Sequence, residues 1–189
     1  MEFNVWDIDS APEGSRSALE AVRKKFGFVP NLLGVLAEAP SALEAYLAVS
    51  SAFEKSSLTR AEQQVVLLAT SVENRCRYCV AAHTMVAKMV GASEDLIRSV
   101  REGDEIQDVK LRALRRFTRR VVATSGWVSD EDVKLFIDAG YTKAQLLEVL
   151  VGVTQKTLSN YTNHIAHTPL DAAFAASACV PGEKRGVDV

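Results

Sequence analysis

The sequence contains little cysteine and little histidine, three residues of each in a chain of 189. So few cysteines exclude a disulfide-rich scaffold, and no second Cys/His pair has the spacing of a zinc finger. The net charge is only −2, which gives no electrostatic reason to expect nucleic acid or an anionic membrane as a partner. No apolar run approaches the ~18 residues of a membrane-spanning helix, and the acidic start lacks a signal-peptide pattern. We therefore expect a soluble, cytoplasmic protein.

Strand signals are also lacking, since the sequence shows neither sustained apolar–polar alternation nor an Asn-Gly hairpin. Helix signals recur instead. Four segments have the Ser/Thr-x-x-Glu/Gln form of a helix-starting capping box, and they begin at Ser17, Ser41, Thr59 and Thr142. We predict an all-α bundle of about nine to ten helices without a sheet. The predicted helices span residues 16–26, 31–39, 41–55, 60–73, 75–90, 94–102, 106–124, 130–139 and 143–167, with a short one from about 170.

The length suits one domain over residues 1–189, with a motif-bearing core at about 41–125. The segment 143–167 is long and apolar on more than one side, which predicts a central, buried helix. A basic cluster, "RALRRFTRRVV" at residues 112–122, is interpreted as a solvated helix face whose charge is balanced by acids elsewhere.

The stretch "NRCRYCVAAHTMVAKMVG" places two of the three cysteines three residues apart and a histidine four residues further on. Asn74 is a favourable helix N-cap, which would put Cys76 in the first turn of the next helix. Cys76, Cys79 and His83 would then share one helix face. The helix N-terminus favours a thiolate, and His83 is spaced to take the proton of the Cys79 thiol.

This arrangement suits thiol oxidation without a metal or an organic cofactor. A thiolate attacks a peroxide and becomes a sulfenic acid, the second thiol condenses with it to a disulfide, and an external dithiol resets the pair. Two other interpretations stay open: a zinc site with a fourth ligand, and buried thiols beside a satisfied core histidine. A thioredoxin-like site is disfavoured, because that motif accompanies a βαβ unit.

The segment "EQQVVLLATSVENRCRYCVAAH" resembles the core motif of the AhpD-like alkylhydroperoxidases, within the carboxymuconolactone decarboxylase superfamily. The family pattern Ser-x-x-Asn-x-Cys-x-x-Cys-x-x-x-His is matched by Ser71, Asn74, Cys76, Cys79 and His83. The flanks "FGFVPNLLGVLAEAPSALEAY" and "NYTNHIAHTPLDAAF" are similar to the peroxidase-related branch, so the resemblance covers about residues 20–175. The decarboxylase branch lacks the cysteine pair, and lyase activity is therefore not expected.

The resemblance implies an all-helical fold, a homo-oligomer (trimer or hexamer) and a thiol-dependent hydroperoxide reductase with antioxidant activity. It implies that Cys79 attacks the peroxide, that Cys76 resolves the intermediate and exchanges the disulfide, and that His83 belongs to a proton relay. The substrate would be hydrogen peroxide or an organic hydroperoxide. The reductant would be a thioredoxin-like or lipoyl-type dithiol protein, and no cofactor would be needed.

Two positions depart from the family pattern. The relay glutamate, twelve residues before the first cysteine, is Gln64 here, and an amide cannot carry a proton as a carboxylate does. Tyr78 stands between the cysteines, where the best-studied type has histidine, and we expect it to pack or to donate a hydrogen bond.

His164 or Tyr161, from "NYTNH", is the candidate to replace the missing carboxylate near the thiols. The alternative is a buried polar network that fixes helix packing or a subunit interface. Gln64 also leaves a second function open, a protein disulfide reductase with little peroxidase activity. A structural oligomer with a zinc-bound or packed Cys/His cluster is the third hypothesis, and Cys179 is interpreted as a bystander.

Overall fold

The computed structural model describes residues 2–178, and every regular element in that part of the chain is helical. The predicted all-α fold is therefore confirmed. The described elements are α1 (Glu13–Phe26), α2 (Asn31–Leu36), α3 (Pro40–Glu54), α4 (Arg60–Glu73), α5 (Arg77–Met89), α6 (Glu94–Glu102), α7 (Val109–Ala123), α8 (Asp130–Asp138), α9 (Lys143–Ala166) and a 3₁₀ helix (Ala172–Ser177). None of the described helices is both long and apolar enough to cross a membrane.

The helix starts show where local sequence rules hold. The capping boxes predicted at Thr59 and Thr142 both form, each with reciprocal side-chain and backbone hydrogen bonds. Those predicted at Ser17 and Ser41 were wrong, because α1 and α3 begin upstream of these serines, with a proline at or just before the first helical residue. The fixed φ of proline and its missing N–H suit that position and move the helix start upstream.

The central helix of the bundle is α4, in which every residue from 62 to 71 is buried. Helices α3, α5, α6, α7 and α9 all contact it. The prediction of a central, wholly buried helix at 143–167 was wrong in part. Although α9 does span most of that range, Leu147 is 62% exposed and Ile165 is 68% exposed. Two apolar sides in a sequence do not reveal whether the second one meets the protein's own core.

The buried apolar side chains form two clusters. The first joins α4 to α6, α7, α8 and α9 and contains the rings of Phe117, Phe136 and Tyr141, with successive centroid distances of 4.6 and 4.5 Å. The second joins α1, α2 and α3 to the start of α5 and to the 3₁₀ helix, and it includes Cys76 and Cys79. The two thiols therefore belong to a packed core rather than to the protein surface.

The basic cluster on α7 is balanced as predicted. Its guanidinium groups, which are about half exposed, pair with carboxylates from neighbouring helices and loops, and pairs at the surface are worth little individually. The pairs are Arg112–Glu105 (2.9 Å), Arg116–Asp132 (3.2 Å), Arg119–Glu73 (2.8 Å) and Arg120–Asp132 (3.2 Å).

Candidate active site

The two cysteines follow the sharp link between α4 and α5. Arg75 has a φ of 55°, in the left-handed region. The N–H of Arg75 bonds to the carbonyl of Val72 (2.9 Å), and the N–H of Cys76 bonds to that of Ser71 (2.9 Å). This pair of hydrogen bonds is the Schellman motif that ends a helix. Cys76 is at once the N-cap of α5, and Cys79 is the third residue of that helix, so both helices position the thiols.

Asn74 does not cap α5, and this prediction was wrong. It is the C-cap of α4, and its Nδ2 donates to Oδ1 of Asn160 on α9 (3.0 Å). Cys76 is itself the N-cap, one position before the first turn in which it was predicted. The physical reason is that α4 continues to Glu73, so the link that ends α4 takes the position of the expected cap.

The two sulfurs lie side by side as free thiols, and each cysteine is only 1% exposed. They form a hydrogen bond with each other. Nδ2 of Asn163 donates to both, at 3.3 Å from Sγ of Cys79 and 3.7 Å from Sγ of Cys76. The amide of Asn163 therefore bridges the pair and tethers it to α9.

The inner face of α9 carries a row of buried polar side chains, Lys156, Ser159, Asn160 and Asn163. Their spacing of three, four and seven residues from the first puts them on one side of the helix. Oγ of Ser159 lies 3.7 Å from Sγ of Cys79, and the neighbouring Asn160, whose Nδ2 is buried without a hydrogen-bond partner among the described residues, also lowers the pKa of this thiol. Convergent donors of this kind stabilise an anion.

Lys156 is the cation of this face and is only 1% exposed. Its Nζ lies 2.8 Å from Nε2 of His83 and also hydrogen-bonds to the sulfur of Cys79. Burial lowers the pKa of Lys156, but the charge of Cys79 and the smaller effects of other neighbours, Cys76 among them, together outweigh burial, and the pKa lies above its usual value. The ammonium and the Cys79 thiolate therefore form a buried ion pair.

His83 is held between Lys156 and α4. Its Nδ1 lies 3.0 Å from Oε1 of Gln64, and its Nε2 faces the Lys156 ammonium. Because the amide oxygen accepts and the ammonium donates, the ring carries its proton on Nδ1 and is neutral. Burial and the charge of Lys156 hold the pKa of His83 well below its usual value. Both ring nitrogens thus have other partners, so the predicted direct proton transfer from Cys79 to His83 does not fit this geometry.

The two thiols differ in acidity. Burial raises the pKa of Cys79, but the hydrogen bond from Cys76, the charge of Lys156 and the hydroxyl of Ser159 outweigh it and lower the pKa to about 5. The hydrogen bond with Cys79 and burial raise the pKa of Cys76. At neutral pH the pair therefore consists of one thiolate, on Cys79, and one protonated thiol, on Cys76.

The remaining candidates lie away from the sulfurs. The hydroxyl of Tyr78 donates to Asp171 and accepts from the N–H of Leu32 (3.2 Å), so it connects α5 to the chain around α2. His164 and Tyr161 lie on the exposed side of α9, with their rings 6.4 Å apart. The structure does not bring either of these two side chains to the thiols.

An apolar cavity of about 480 Å³ lies beside the thiolate, within the size range of small-molecule sites. Cys79, His83, Gln64 and Lys156 contribute to its wall. Gln155 lines it as well, and its Oε1 is buried without a hydrogen-bond partner among the described residues. The apolar wall includes Val22, Phe28, Leu33, Tyr46, Phe53 and Phe174.

Sequence analysis does not identify Lys156 or Ser159. The signal that could have found them is a row of polar residues at helical spacing within the otherwise apolar segment 143–167. Asn160 and Asn163 are recognisable there as polar exceptions, but nothing in the sequence connects them to the cysteines of another helix.

Within residues 2–178, no three His, Cys, Asp or Glu side chains are grouped so that they could hold a metal ion. The neighbours of Cys79 are instead a cation, Lys156, and the amide donor of Asn163. A zinc ion would meet an ammonium where it needs a ligand. Cys179 lies outside the described residues.

Residues 37–117, which include Cys76, Cys79 and His83, match the model of the carboxymuconolactone decarboxylase family. The structure is similar to that of an uncharacterized peroxidase-related protein with an alkylhydroperoxidase AhpD core from Ralstonia eutropha JMP134. The TM-score is 0.81, with 24% identity over 95% of this chain and 97% of the other. The chain therefore has the AhpD-like fold, and its residues 37–117 resemble the carboxymuconolactone decarboxylase family. The matched segment contains the thiols and Gln64, but not Lys156.

Two further structures share the fold at lower identity. An uncharacterized peroxidase-related protein from Silicibacter sp. TM1040 has a TM-score of 0.79 and 18% identity over 92% of each chain. The debrominase Bmp8, as a cysteine-to-alanine variant in complex with 2,3,4-tribromopyrrole, has a TM-score of 0.75 and 13% identity over 87% of this chain and 89% of the other. A sequence comparison with curated proteins found no match. At these identities the similarity establishes the AhpD-like fold, not a shared reaction.

Proposed function

We propose that this protein is a thiol-dependent hydroperoxide reductase that acts on organic hydroperoxides. The observation that carries the proposal is the pairing of the buried Cys79 thiolate with the protonated thiol of Cys76 beside an apolar cavity. A lowered thiol pKa provides the nucleophile at neutral pH, and the neighbouring thiol converts the first oxidation product into a disulfide.

The reaction has two covalent steps. Sγ of Cys79 attacks the terminal oxygen of R–O–O–H, the O–O bond breaks, and a sulfenic acid forms as R–O leaves. Cys76 then loses its proton and attacks Sγ of Cys79, so that the S–S bond forms and the sulfenic oxygen leaves as water. Two electrons pass from the two thiols to the peroxide, and no cofactor takes part.

The cavity favours a hydroperoxide with an apolar organic group over hydrogen peroxide. Aromatic and aliphatic side chains such as Phe28, Phe53 and Phe174 would bury that group, and each buried CH₂ contributes roughly 0.8 kcal/mol. Oε1 of Gln155, which has no partner among the described residues, would accept a hydrogen bond from the O–H of the hydroperoxide. This contact would orient the terminal oxygen near the thiolate.

The structure also bears on the choice of reductant. Cys76 and Cys79 are each 1% exposed, so a folded thioredoxin-like protein cannot reach either sulfur without local opening. A slender dithiol, such as a lipoyl arm, fits a cavity of about 480 Å³ and would approach Cys79 through it. The same burial argues against the alternative function as a general protein disulfide reductase.

Single-turnover reactions with cumene hydroperoxide test the proposal. Mass spectrometry with an alkylating tag should show that the wild type forms the Cys76–Cys79 disulfide and that a small dithiol reverses it. Cys79→Ser should consume no hydroperoxide. Cys76→Ser is the matched control and should still react once, leaving a sulfenic acid on Cys79 that dimedone traps. Hydroperoxide consumption by Cys79→Ser, or thiols that stay unoxidised in the wild type, would overturn the assignment.

We further propose that the chain forms homo-oligomers through the outer face of α9. Side chains on this face follow spacings of four and three residues in turn, the ~3.5-residue period with which one helix packs against another. The face consists of Leu147, Val151, Thr154, Leu158, Tyr161 and Ile165. A second copy of the same helix is its proposed occupant. A cytoplasmic location and an antioxidant role stay predictions.

A further inference from the structure

Hydroperoxide reduction at this site needs one proton more than the two thiols can supply. R–O–O–H takes up two electrons and two protons to give R–OH and water. The thiol of Cys76 provides one proton, but Cys79 is already a thiolate and provides none. A second acid must therefore lie within reach of the departing oxygen.

The ammonium of Lys156 meets this requirement by its position. It contacts both the reacting sulfur and Nε2 of His83, and it lines the cavity from which the hydroperoxide would approach. The other polar neighbours are poorer acids. His83 is neutral and gives its Nδ1–H to Gln64, and an amide has no acidic proton. Tyr46, on α3, lines the cavity as well, but the side-chain donors that approach the two sulfurs are Ser159 and Asn163.

We propose that Lys156 gives its proton to the R–O oxygen as the O–O bond of the hydroperoxide breaks, and that it remains a neutral amine for as long as the Cys76–Cys79 disulfide exists. This inference rests on the proposed hydroperoxide chemistry and names the acid of that chemistry.

The protons and electrons balance in both steps. As the O–O bond breaks, its electron pair goes to R–O, which takes a proton from Nζ of Lys156 and leaves as R–OH. The neutral amine then removes the proton of Cys76. The Cys76 thiolate attacks Sγ of Cys79, and the expelled hydroxide takes that proton back from Lys156 and leaves as water. The products are a disulfide, an alcohol, water and a neutral Lys156.

The surroundings of Lys156 allow it to stay neutral after oxidation. The disulfide removes the anion that kept the ammonium charged, and burial then favours the uncharged amine. A neutral amine can still donate an N–H to Nε2 of His83, so the 2.8 Å contact survives. When an external dithiol reduces the disulfide, its two protons return to Cys76 and Lys156, and Cys79 is again a thiolate.

Gln64 has a defined part in this scheme. Because its Oε1 accepts the Nδ1–H of His83, Nε2 of that ring is left with a lone pair that receives Lys156. An amide at position 64 fixes the tautomer without adding a negative charge that would compete with Cys79 for the lysine. Gln64 is thus a positioning residue. The proton that a carboxylate at position 64 could have carried is carried in this scheme by the ammonium of Lys156 on α9.

The first experiment compares two rate constants for Cys79 in each variant. Iodoacetamide releases iodide, which needs no proton, so its rate reports the thiolate alone. Cumene hydroperoxide needs the thiolate and the acid, and the ratio of the two rates isolates the acid. Lys156→Arg keeps the cation but holds its proton, whereas Lys156→Met removes both. In both variants the ratio should fall about 100-fold or more, as expected for the loss of a general acid.

A ratio within about threefold of the wild type in either variant would show that Lys156 serves only to stabilise the thiolate. The arginine variant carries the test if the methionine variant does not fold. Failure of this inference can be told apart from failure of the proposed function. If the wild type reacts readily with iodoacetamide but does not reduce the hydroperoxide, the proposed function is wrong, and the role of Lys156 is judged by the second experiment.

A second experiment tests the proton count without any peroxide. The reduced protein is equilibrated with glutathione disulfide between about pH 6 and about pH 7.5, where the glutathione thiol is protonated. An iodoacetamide profile over the same range verifies that Cys79 is ionised. If oxidation releases the protons of both Cys76 and Lys156, they match the two that glutathione takes up, and the equilibrium constant is independent of pH. In Lys156→Arg only one proton is released, so the reaction consumes one proton. The equilibrium constant for protein oxidation should then fall about tenfold for each unit by which the pH rises. The same tenfold decrease in the wild type would overturn the proposal.

Discussion

The two faces of α9 show opposite polarity from that of an ordinary surface helix. Its inner face carries buried polar groups, with Lys156 at 1% and Asn160 at 0% exposure. Its outer face carries exposed apolar side chains, with Leu147 at 62% and Ile165 at 68%. A surface helix normally buries its apolar side and exposes its polar side. The inversion supports the two proposals made above, thiol chemistry at the inner face and contact with a second copy of the chain at the outer face.

Among the changes to either face of α9, removal of the Lys156 cation should have the largest effect on the reactivity of Cys79. In Lys156→Met, burial of Cys79 is offset only by the polar neighbours Cys76, Ser159 and Asn160, so its pKa should rise from about 5 toward that of an ordinary thiol, near 8.5. The sign follows from the lowered pKa of the wild type, whose thiolate is lost only as the pH falls through about 5. At pH 7 the iodoacetamide rate should fall, by up to about thirtyfold.

The pH profile of alkylation measures this change directly. The wild-type profile should be flat above about pH 6, and the variant profile should rise with pH through the alkaline range. A variant that is still fully reactive at pH 6 would mean that the amide and hydroxyl donors alone hold the thiolate.

Asn163→Leu is a milder change on the same face. It removes a donor shared by both sulfurs, and a hydrogen bond to a charged group contributes about 1.5–3 kcal/mol. The pKa of Cys79 should therefore rise by about one to two units, measured by the same alkylation profile. His164→Gln is the matched control, one residue further along on the exposed side, and should leave the profile unchanged. An equal effect of both variants would mean that the inner and outer faces are not separated in function.

Gly152 lies where the inner face of α9 packs against the core of the bundle, and Gly152→Ala tests how tight this packing is. An added Cβ would lie 2.7 and 2.9 Å from two ring carbons of Phe53 and 2.8 Å from Cγ1 of Val66. Overpacking of this kind costs about 1–3 kcal/mol, which should appear as a lower free energy of unfolding in urea. Thr154→Ala, on the outer face, is the control and should change stability by about 0.5 kcal/mol or less. Equal stability of both variants would show that α9 shifts freely.

Substitutions on the outer face of α9 should have the smallest effect on the reactivity of Cys79. The double variant Leu147→Lys, Ile165→Lys should convert the proposed oligomer to a monomer, because like charges would meet across the proposed interface. Light scattering measures the mass, and the iodoacetamide rate of Cys79 should stay within about twofold of the wild type. A wild type that is already monomeric at micromolar concentration would contradict the proposed interface.

The fold and half of the site could be predicted from the sequence. Helical periodicity and capping chemistry are local, so the helices fall near their predicted positions, and the spacing of Cys76, Cys79 and His83 on one segment is visible directly. Lys156 was not predictable in the same way, because its contact with Cys79 joins two helices far apart in the chain. A lysine within a long helix resembles a solvent-facing residue until the packing of α9 on α5 is known.

The errors have equally specific causes. Asparagine is a favourable N-cap residue, but a residue between two helices can cap either of them, depending on where the first helix ends. Because α4 continues to Glu73, Asn74 is its C-cap. His164 is a candidate in the sequence because it stands among polar residues of an otherwise apolar helix, and one of these, Asn163, does lie at the thiols. At about 100° per residue, the step from 163 to 164 carries the imidazole round to the exposed side.

Part of the cavity wall comes from outside the segment that matches the family. Val22 and Phe28 precede residue 37, and Gln155 and Phe174 follow residue 117, whereas the two cysteines lie between these limits. Selectivity thus depends in part on stretches outside the matched segment, and so does the reactivity of Cys79, because Lys156 also lies beyond residue 117. A chimera that received residues 37–117 alone would contain the two cysteines, but parts of its cavity wall would come from the other protein. Relatives with the same cysteine motif can therefore diverge in the compounds they accept while the motif itself stays unaltered.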